Sequence, residues 1–397
     1  MKRHTHVALI ATLMSVAAWG QEVSVFGTTM AEMWKSEDPA FAKASYMPAT
    51  QFLGIDATKL GMDNLSLHLF GWGRHDLQDA SSFDGTKQSG YLNYGYLQYR
   101  FNQANAEIKA GRFAANSATG FEQVDGVSGY TDLVNGFNIS GFAGRPVLFK
   151  TVDPRNQHDY DRENDIIVGS RLGWRVSKIA DIGISYLQTG LKTPQDLTPP
   201  ATMNYTRREM GFDINLVPTS AIDLRGRTVL DMADQHSNVA EHDYVATLKA
   251  SSDFTVAGTF TERNFAHYFV GTTMPSLFRQ DTNDVFRAAG TVVTWNLSSA
   301  LQAIADYRHT HRQTYGYVNR GGAELRWASE DKTLLMGASG HFANAEKTRF
   351  VDATAPWRSL SYGEARAWVM ATRGKITGSL DAIVHRYRQS NPYVAGP

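Results

Sequence analysis

The chain has 397 residues, no formal net charge at neutral pH and no cysteine, with 34 Gly, 20 Phe, 17 Tyr and 8 Trp. Without cysteine it can neither rest on disulfides nor itself carry a c-type haem, whose attachment needs two thiols, and a balanced charge excludes a general nucleic-acid binder. Abundant Gly and aromatic residues at a mean hydropathy of −0.33 fit a transmembrane β-barrel, in which only alternate residues face lipid.

Residues Met1 to Gly20 begin with Lys2 and Arg3, run apolar from Val7 to Trp19 and end in Ala18-Trp19-Gly20. This is the pattern of a cleaved signal peptide, and the apolar run is too short for a spanning helix. The mature chain, residues 21 to 397, is therefore expected to be exported and to form one outer-membrane barrel domain.

Two populations of connections then alternate along the chain. Short ones fall at Gly61–Asn64, Gln103–Asn105, Val134–Gly136, Ser177–Ala180, Val217–Ser220, Ser251–Asp253, Asn296–Ser299, Ser329–Asp331 and Thr372–Gly374. Longer polar ones fall at Ser36–Thr50, Asp76–Gly90, Phe113–Val124, Pro146–Glu163, Thr189–Tyr205, Ala233–Ala240, Phe265–Asn283, His311–Gly316 and Asn344–Arg358. Tight periplasmic turns alternating with larger outer loops are the pattern of an outer-membrane barrel; a Greek-key sandwich has no reason to keep it.

Between the connections, the runs alternate at period two. Ile166, Val168, Leu172, Trp174 and Val176 oppose Ile167, Gly169, Arg171, Gly173 and Arg175, and Met210, Phe212, Ile214 and Leu216 oppose Glu209, Gly211, Asp213 and Asn215. Each such run is a half-buried strand. Counting them predicts an all-β, antiparallel up-and-down transmembrane barrel of roughly 18–20 strands, about nineteen by the connections above. An odd count leaves the tail on the outside, so either a closing C-terminal strand is missing from this sequence or the count is off by one. Trp174, Tyr186, Tyr244, Trp295 and Trp327 lie near strand ends, where an interfacial girdle needs them.

If the apolar face meets lipid, the lumen-facing residues are Arg171, Arg175, Glu209, Asp213, Arg225, Arg227, Asp231, Lys249, Arg263, Asp306, Arg308, Glu324, Arg326, His341, Glu364, Arg366, Asp381 and His385. Both signs are mixed throughout, unlike an ion filter built from rings of one sign. A barrel of this size is too wide for its own side chains to fill. Catalytic and metal readings are poor: His242 between Glu241 and Asp243, and His309 with His311, read as strand-end polar residues, and two imidazoles on one face lack further ligands. Neither an enzyme nor a cofactor of its own is expected.

The segments Ala110-Gly111-Arg112-Phe113, Val124-Asp125-Gly126-Val127, Gly136-Phe137-Asn138-Ile139 and Gly144-Arg145-Pro146-Val147 resemble a family of large porin-like outer-membrane barrels from metal-reducing bacteria. So do Ile182-Gly183-Ile184-Ser185-Tyr186, Asp223-Leu224-Arg225-Gly226-Arg227 and Glu241-His242-Asp243-Tyr244. Some members sheathe multihaem c-type cytochromes in electron conduits across the outer membrane. The resemblance thus implies a cytochrome partner in or beside the barrel, and no catalytic residues. The main expectation is therefore the sheath of such a conduit, towards which the mixed-charge wall and the lack of an evident constriction loop lean; the alternative is a general diffusion porin for small solutes, and both place the chain among outer-membrane lipids of a Gram-negative bacterium.

Overall fold

The computed structural model describes residues 5–9, 14–18, 21–36, 44–78, 87–147, 166–190, 207–232, 238–268, 285–312, 316–345, 361–374 and 376–387. They fall into two units, residues 1–172 with 185–193 and residues 173–184 with 194–397. Apart from one short 3-10 turn and the helical turn Phe265–Tyr268, the regular structure among the described residues is β.

The first unit contains β1 (Thr5–Leu9), β2 (Met14–Ala18), β3 (Gln21–Ser36), β4 (Ala44–Tyr46), β5 (Pro48–Thr58), β6 (Leu65–Asp76), β7 (Gln88–Phe101), β8 (Ala106–Ser117), β9 (Gly120–Asp132) and β10 (Phe137–Pro146). It also takes in the first part of β11 (Ile167–Val176) and the last part of β12 (Ala180–Thr189). From β5 to β10 each strand pairs antiparallel with the next, and β3 pairs with β5. On its other edge β3 carries β1 and β2, so Met30 stands opposite both Thr50 and Ala8. The segment expected as a signal peptide thus occupies, as two strands, the edge that β5 leaves open.

The second unit continues with β13 (Arg207–Thr219), β14 (Ile222–Asp231), β15 (Asn238–Lys249), β16 (Phe254–Asn264), β17 (Val285–Asn296), β18 (Leu301–Arg312), β19 (Gly316–Ala328), β20 (Leu334–Ala345), β21 (Tyr362–Arg373) and β22 (Ile376–Tyr387). Each of these again pairs antiparallel with its successor. The described residues hold nineteen strands of ten to sixteen residues, long enough to cross a bilayer at a tilt. The connections are tight where expected: β14 follows β13 after two residues, and Ser329 to Thr333 join β19 to β20. In that turn the Asp331 carboxylate accepts hydrogen bonds from Ser329 Oγ at 2.6 Å and from the Thr333 amide at 3.1 Å, which hold it below the usual carboxylate value.

Most of the long connections fall wholly or partly outside the described residues: 36–50, where β4 and the start of β5 are described, 76–90, 146–163, 189–205, 233–240, 265–283, 311–316 and 344–358. Phe113–Val124 does not, and here the expectation of a loop fails. Those residues are strand on both sides of a two-residue turn at Ala118 and Thr119. Pairing of β8 with β7 stops at Arg112, and pairing of β9 with β10 stops at Val124, while β8 and β9 stay paired up to Ser117 and Gly120. Residues 113–124 are therefore a two-stranded arm that parts from β7 beyond Arg112 and from β10 beyond Gln123, whose carbonyl still accepts from the Val147 amide at 2.9 Å. It leaves at Gly111, whose φ of +128° and close approach to the Gly95 carbonyl exclude a side chain.

Side chains divide as period two demands, with an inverted polarity. In the second unit Ile222, Leu248, Val256, Val293, Ala305 and Ala323 are successive cross-strand partners and form one apolar row. Asp213, Arg227, Asp243 and Thr261 form such a row on the opposite face. The large apolar side chains are the exposed ones: Leu172, Trp174, Ile184, Trp295, Leu325, Phe342 and Leu380 all stand out, whereas Arg74, Asp76, Gln98, Glu209, Asp231 and Glu241 are buried. A water-soluble protein sorts them the other way.

Gly111→Val places a Cβ 2.3 Å from the Gly95 carbonyl oxygen, and should cost about 2 kcal/mol or more from a strained backbone. Gly363→Ala, with open space around its Cβ, should be close to neutral. Urea midpoints of the two variants, read by loss of heat-modifiable gel migration, check the contrast.

Candidate functional site

The candidate site is the polar face of the strands together with the arm laid on it. The arm packs by its apolar residues: Phe113 and Val124 are buried against Ile167 and Leu187, with Tyr96, Ala115 and Phe142 around them. Ile167 and Leu187 belong to the same face of β11 and β12 as the buried Gly169, Ser185 and Thr189, while Val168, Ile184 and Tyr186 on the other face are exposed. The arm therefore covers the polar face of this unit. At its tip the Ala118 amide donates to Ser185 Oγ at 3.2 Å, a buried contact that fixes the turn against β12.

The base of the arm is held by charge and ring contacts. Arg112 and Asp125 are register partners, bridged by two hydrogen bonds of 2.7 Å, and Arg112 also donates to the Leu92 carbonyl at 2.9 Å and lies 5.4 Å from the Tyr91 ring centre. The bidentate fork makes the pair directional as well as attractive. Tyr91 donates to Gln123 Oε1 at 2.7 Å, and Gln123 Nε2 donates to the Asn93 carbonyl, so the start of β9 is tied back to β7.

In the second unit the register places Glu209, Asp213, Arg225, Arg227, Asp231, Lys249, Arg263, Asp306, Arg308, Glu324, Arg326, His341, Glu364, Arg366, Asp381 and His385 on one face, through successive cross-strand partners. Most of these charges are partnered on the face itself. Buried Glu241 accepts from Arg227 at 2.8 Å and from Arg263 at 2.9 Å, Arg207 forks onto Glu209 at 2.6 and 2.7 Å, and Arg225 forks onto Asp223. Further along, Arg326 donates to Glu324 at 2.8 Å, Arg366 pairs with Asp381, and His267 bonds Asp231 at 2.8 Å. Asp306 holds His341 Nε2 at 2.8 Å, and Glu364 lies 3.8 Å from His341 and 3.5 Å from His385. Arg175 pairs with Asp181 at 3.0 Å, and in the first unit Arg171 donates to Asn138 at 3.1 Å. Opposite charges joined in this way leave the face with little net field to select an ion.

His309 and His311 lie towards the end of β18 as expected, whereas His242, expected at a strand end, lies inside β15. Thr228, His242, Glu262, Arg287, His311 and Tyr317 are successive cross-strand partners in one polar row. His309 shares the face of His311 and bonds Asn319 at 2.7 Å. Among the described residues no group of three or more His, Cys, Asp or Glu is arranged to hold a metal.

Two parts of the site escaped the sequence reading. One is the arm. The other is a set of aromatic side chains on the polar face of β3 to β7: Phe26, Phe52, Phe70, Trp72, Tyr91, Tyr94 and Tyr96. Their signal was present in Phe70-Gly71-Trp72 and Tyr94-Gly95-Tyr96, where alternate positions carry rings although the other face of the same strands is already apolar.

No protein-family model matches the chain, and no curated protein is found as a relative. Among solved structures it aligns with the outer membrane protein opdK of Pseudomonas aeruginosa, at 10% identity and a TM-score of 0.45, over 92% of this chain and 99% of that one. It aligns with OccK2 (OpdF) of the same organism, solved in complex with glucuronate, at 12% identity and a TM-score of 0.45, over 91% and 98%. Acinetobacter baumannii OccAB4 aligns at 10% identity and a TM-score of 0.44, over 92% and 98%.

The ion pairs differ in what their loss should cost. Glu241→Ala strands two arginines that are only about one-third exposed, and should destabilise by about 2 kcal/mol once solvent screening is allowed for. Asp223→Ala beside the well exposed Arg225 should cost far less, because solvent screens that pair. Urea unfolding of the two variants in detergent measures the difference.

Proposed function

We propose that the chain is an outer-membrane β-barrel channel through which small solutes diffuse, exported by the leader at Met1–Gly20, whose removal would uncover the edge of β3 that β1 and β2 occupy. Several features support a membrane setting. The large apolar side chains on the outward face are exposed, and outward Trp174, Trp295 and Trp327 stand near the short-turn ends of their strands. On β17 the outward face is bounded by Arg287 at one end and Trp295 at the other. That span measures about 26 Å along a strand at 3.3 Å per residue, or roughly 20 Å at a 40° tilt, comparable with the apolar band of an outer-membrane barrel.

The arm carries the choice between a channel and a protein sheath. A bore that encloses a cytochrome needs a clear wall, whereas residues 113–124 lie across the polar face of β11 and β12, locked by an apolar cluster, by the Ser185 contact and by the Arg112–Asp125 bridge. An element fixed in that position narrows a water-filled bore and competes with a large guest. The self-compensated wall points the same way, because its charges are already satisfied by one another and do not wait for a partner's surface. The arm thus favours solute passage over the electron conduction that the resemblance to conduit barrels implied. No catalytic role is proposed.

Replacing residues 114–123 by a two-residue turn should raise single-channel conductance in planar bilayers at least twofold and enlarge the solutes that swell protein-loaded liposomes. Unchanged conductance from a correctly inserted variant would remove the arm from the solute path. Co-purification of haem with the wild-type barrel in mild detergent would restore the conduit.

A further inference from the structure

We propose that the aromatic strip on the polar face of β3 to β7 is a binding track for the pyranose rings of a neutral sugar; this rests on the channel reading above. Phe26 and Phe70 have ring centres 6.2 Å apart and planes within 17° of parallel, Phe52 and Phe70 6.5 Å and 15°, and Phe70 and Tyr94 5.7 Å and 27°. Tyr96 continues the series 6.0 Å from Tyr94, with His68 tilted against it at 5.1 Å. All five aromatic residues are half-buried, so their rings are packed together yet remain open on one side. Gly54 makes the arrangement possible: a Cβ there would lie 2.2 Å from the Phe26 ring, which therefore rests on bare backbone.

Rings on this face need explaining, because the opposite face of the same strands already supplies apolar surface through Leu53, Leu67, Leu69 and Leu97. A strip of aromatic surface on a wetted wall exposes apolar area to water for no gain in folding. A ligand with apolar faces and polar edges would recover that area. A pyranose is such a ligand: its axial C–H groups form apolar faces for the rings, and its hydroxyls form a polar rim. Hydrogen-bonding groups flank the strip on the same face, with Asp56 on His68 at 2.7 Å and Gln98 on Glu107 at 2.6 Å.

The charges nearby decide for a neutral ligand over an aromatic or sugar acid. Arg74 pairs with Asp76, Arg100 and Lys109 share Glu107, and Arg112 at the base of the arm pairs with Asp125. An anionic ligand would have to break one of these pairs. The strip also ends beside the arm, since Tyr96 packs on the Phe113–Val124 cluster and Tyr91 bonds Gln123. A sugar moving along the rings would thus be presented to the narrowed part of the path.

The test uses the full-length mature protein, with maltotriose as the probe and benzoate as the comparison, read by ion current in planar bilayers and by tryptophan emission in detergent. Maltotriose should reduce the current saturably and shift the emission, while benzoate does neither. The Phe70→Ala/Tyr94→Ala double variant should weaken both responses roughly tenfold, and Tyr94→Phe, which keeps the ring, should retain them. Indifference of wild-type current and emission to maltotriose, a response to benzoate alone, or unchanged affinity in the double variant would each overturn the track. A protein that conducts no ions yet titrates with maltotriose by emission would keep the sugar site and sink the channel.

Discussion

Everything in this molecule follows from the pairing of long antiparallel strands whose apolar side chains point away from the protein. Each strand satisfies its backbone through its neighbours, and among the described residues the sheet is accompanied by a single helical turn, Phe265–Tyr268. That arrangement is stable only if something other than protein covers the outward faces. Exposed Leu172, Phe342 and Leu380 alongside buried Glu209, Asp231 and Glu241 state the requirement directly, and a lipid bilayer meets it with no further interface.

With the outer face given to lipid, the inner face is free to differ along the chain, and it does. In the second unit it is a lattice of ion pairs such as Arg227–Glu241–Arg263 and Arg366–Asp381, whose mutual neutralisation makes the wall polar without a strong field. In the first unit it carries rings and an arm. The arm depends on a few local choices: a glycine where the chain bends, an arginine fork at its base, and four apolar residues that bury one another where a polar wall would otherwise be wet.

The strands and short turns were legible because period-two alternation and turn residues are local signals, and runs such as Ile222 to Asp231 carry both. That the charged positions from Glu209 to Asp381 share one face was legible for the same reason: once the apolar series is assigned to one face, the alternate residues fall on the other. Phe113–Val124 was not legible as an arm. Asn116, Ser117, Thr119 and Gly120 read as loop chemistry, and whether such a stretch leaves the sheet or continues as a hairpin depends on Ile167 and Leu187, which lie far along the chain. The aromatic strip was hidden for a related reason. A ring at Phe70 is apolar by composition, and only the register with Phe26 and Tyr94 places it among the charges.

The most direct measurement of the outward-lipid claim uses the absence of cysteine. Single cysteines placed along β17 from Ala288 to Val293, spin-labelled in liposomes, report lipid and water access residue by residue. The account predicts strict alternation, with labels at 289, 291 and 293 relaxed by oxygen dissolved in the bilayer and labels at 288, 290 and 292 relaxed by a water-soluble nickel chelate. Uniform access of the water-soluble reagent at all six positions, or alternation of the opposite phase, would contradict it.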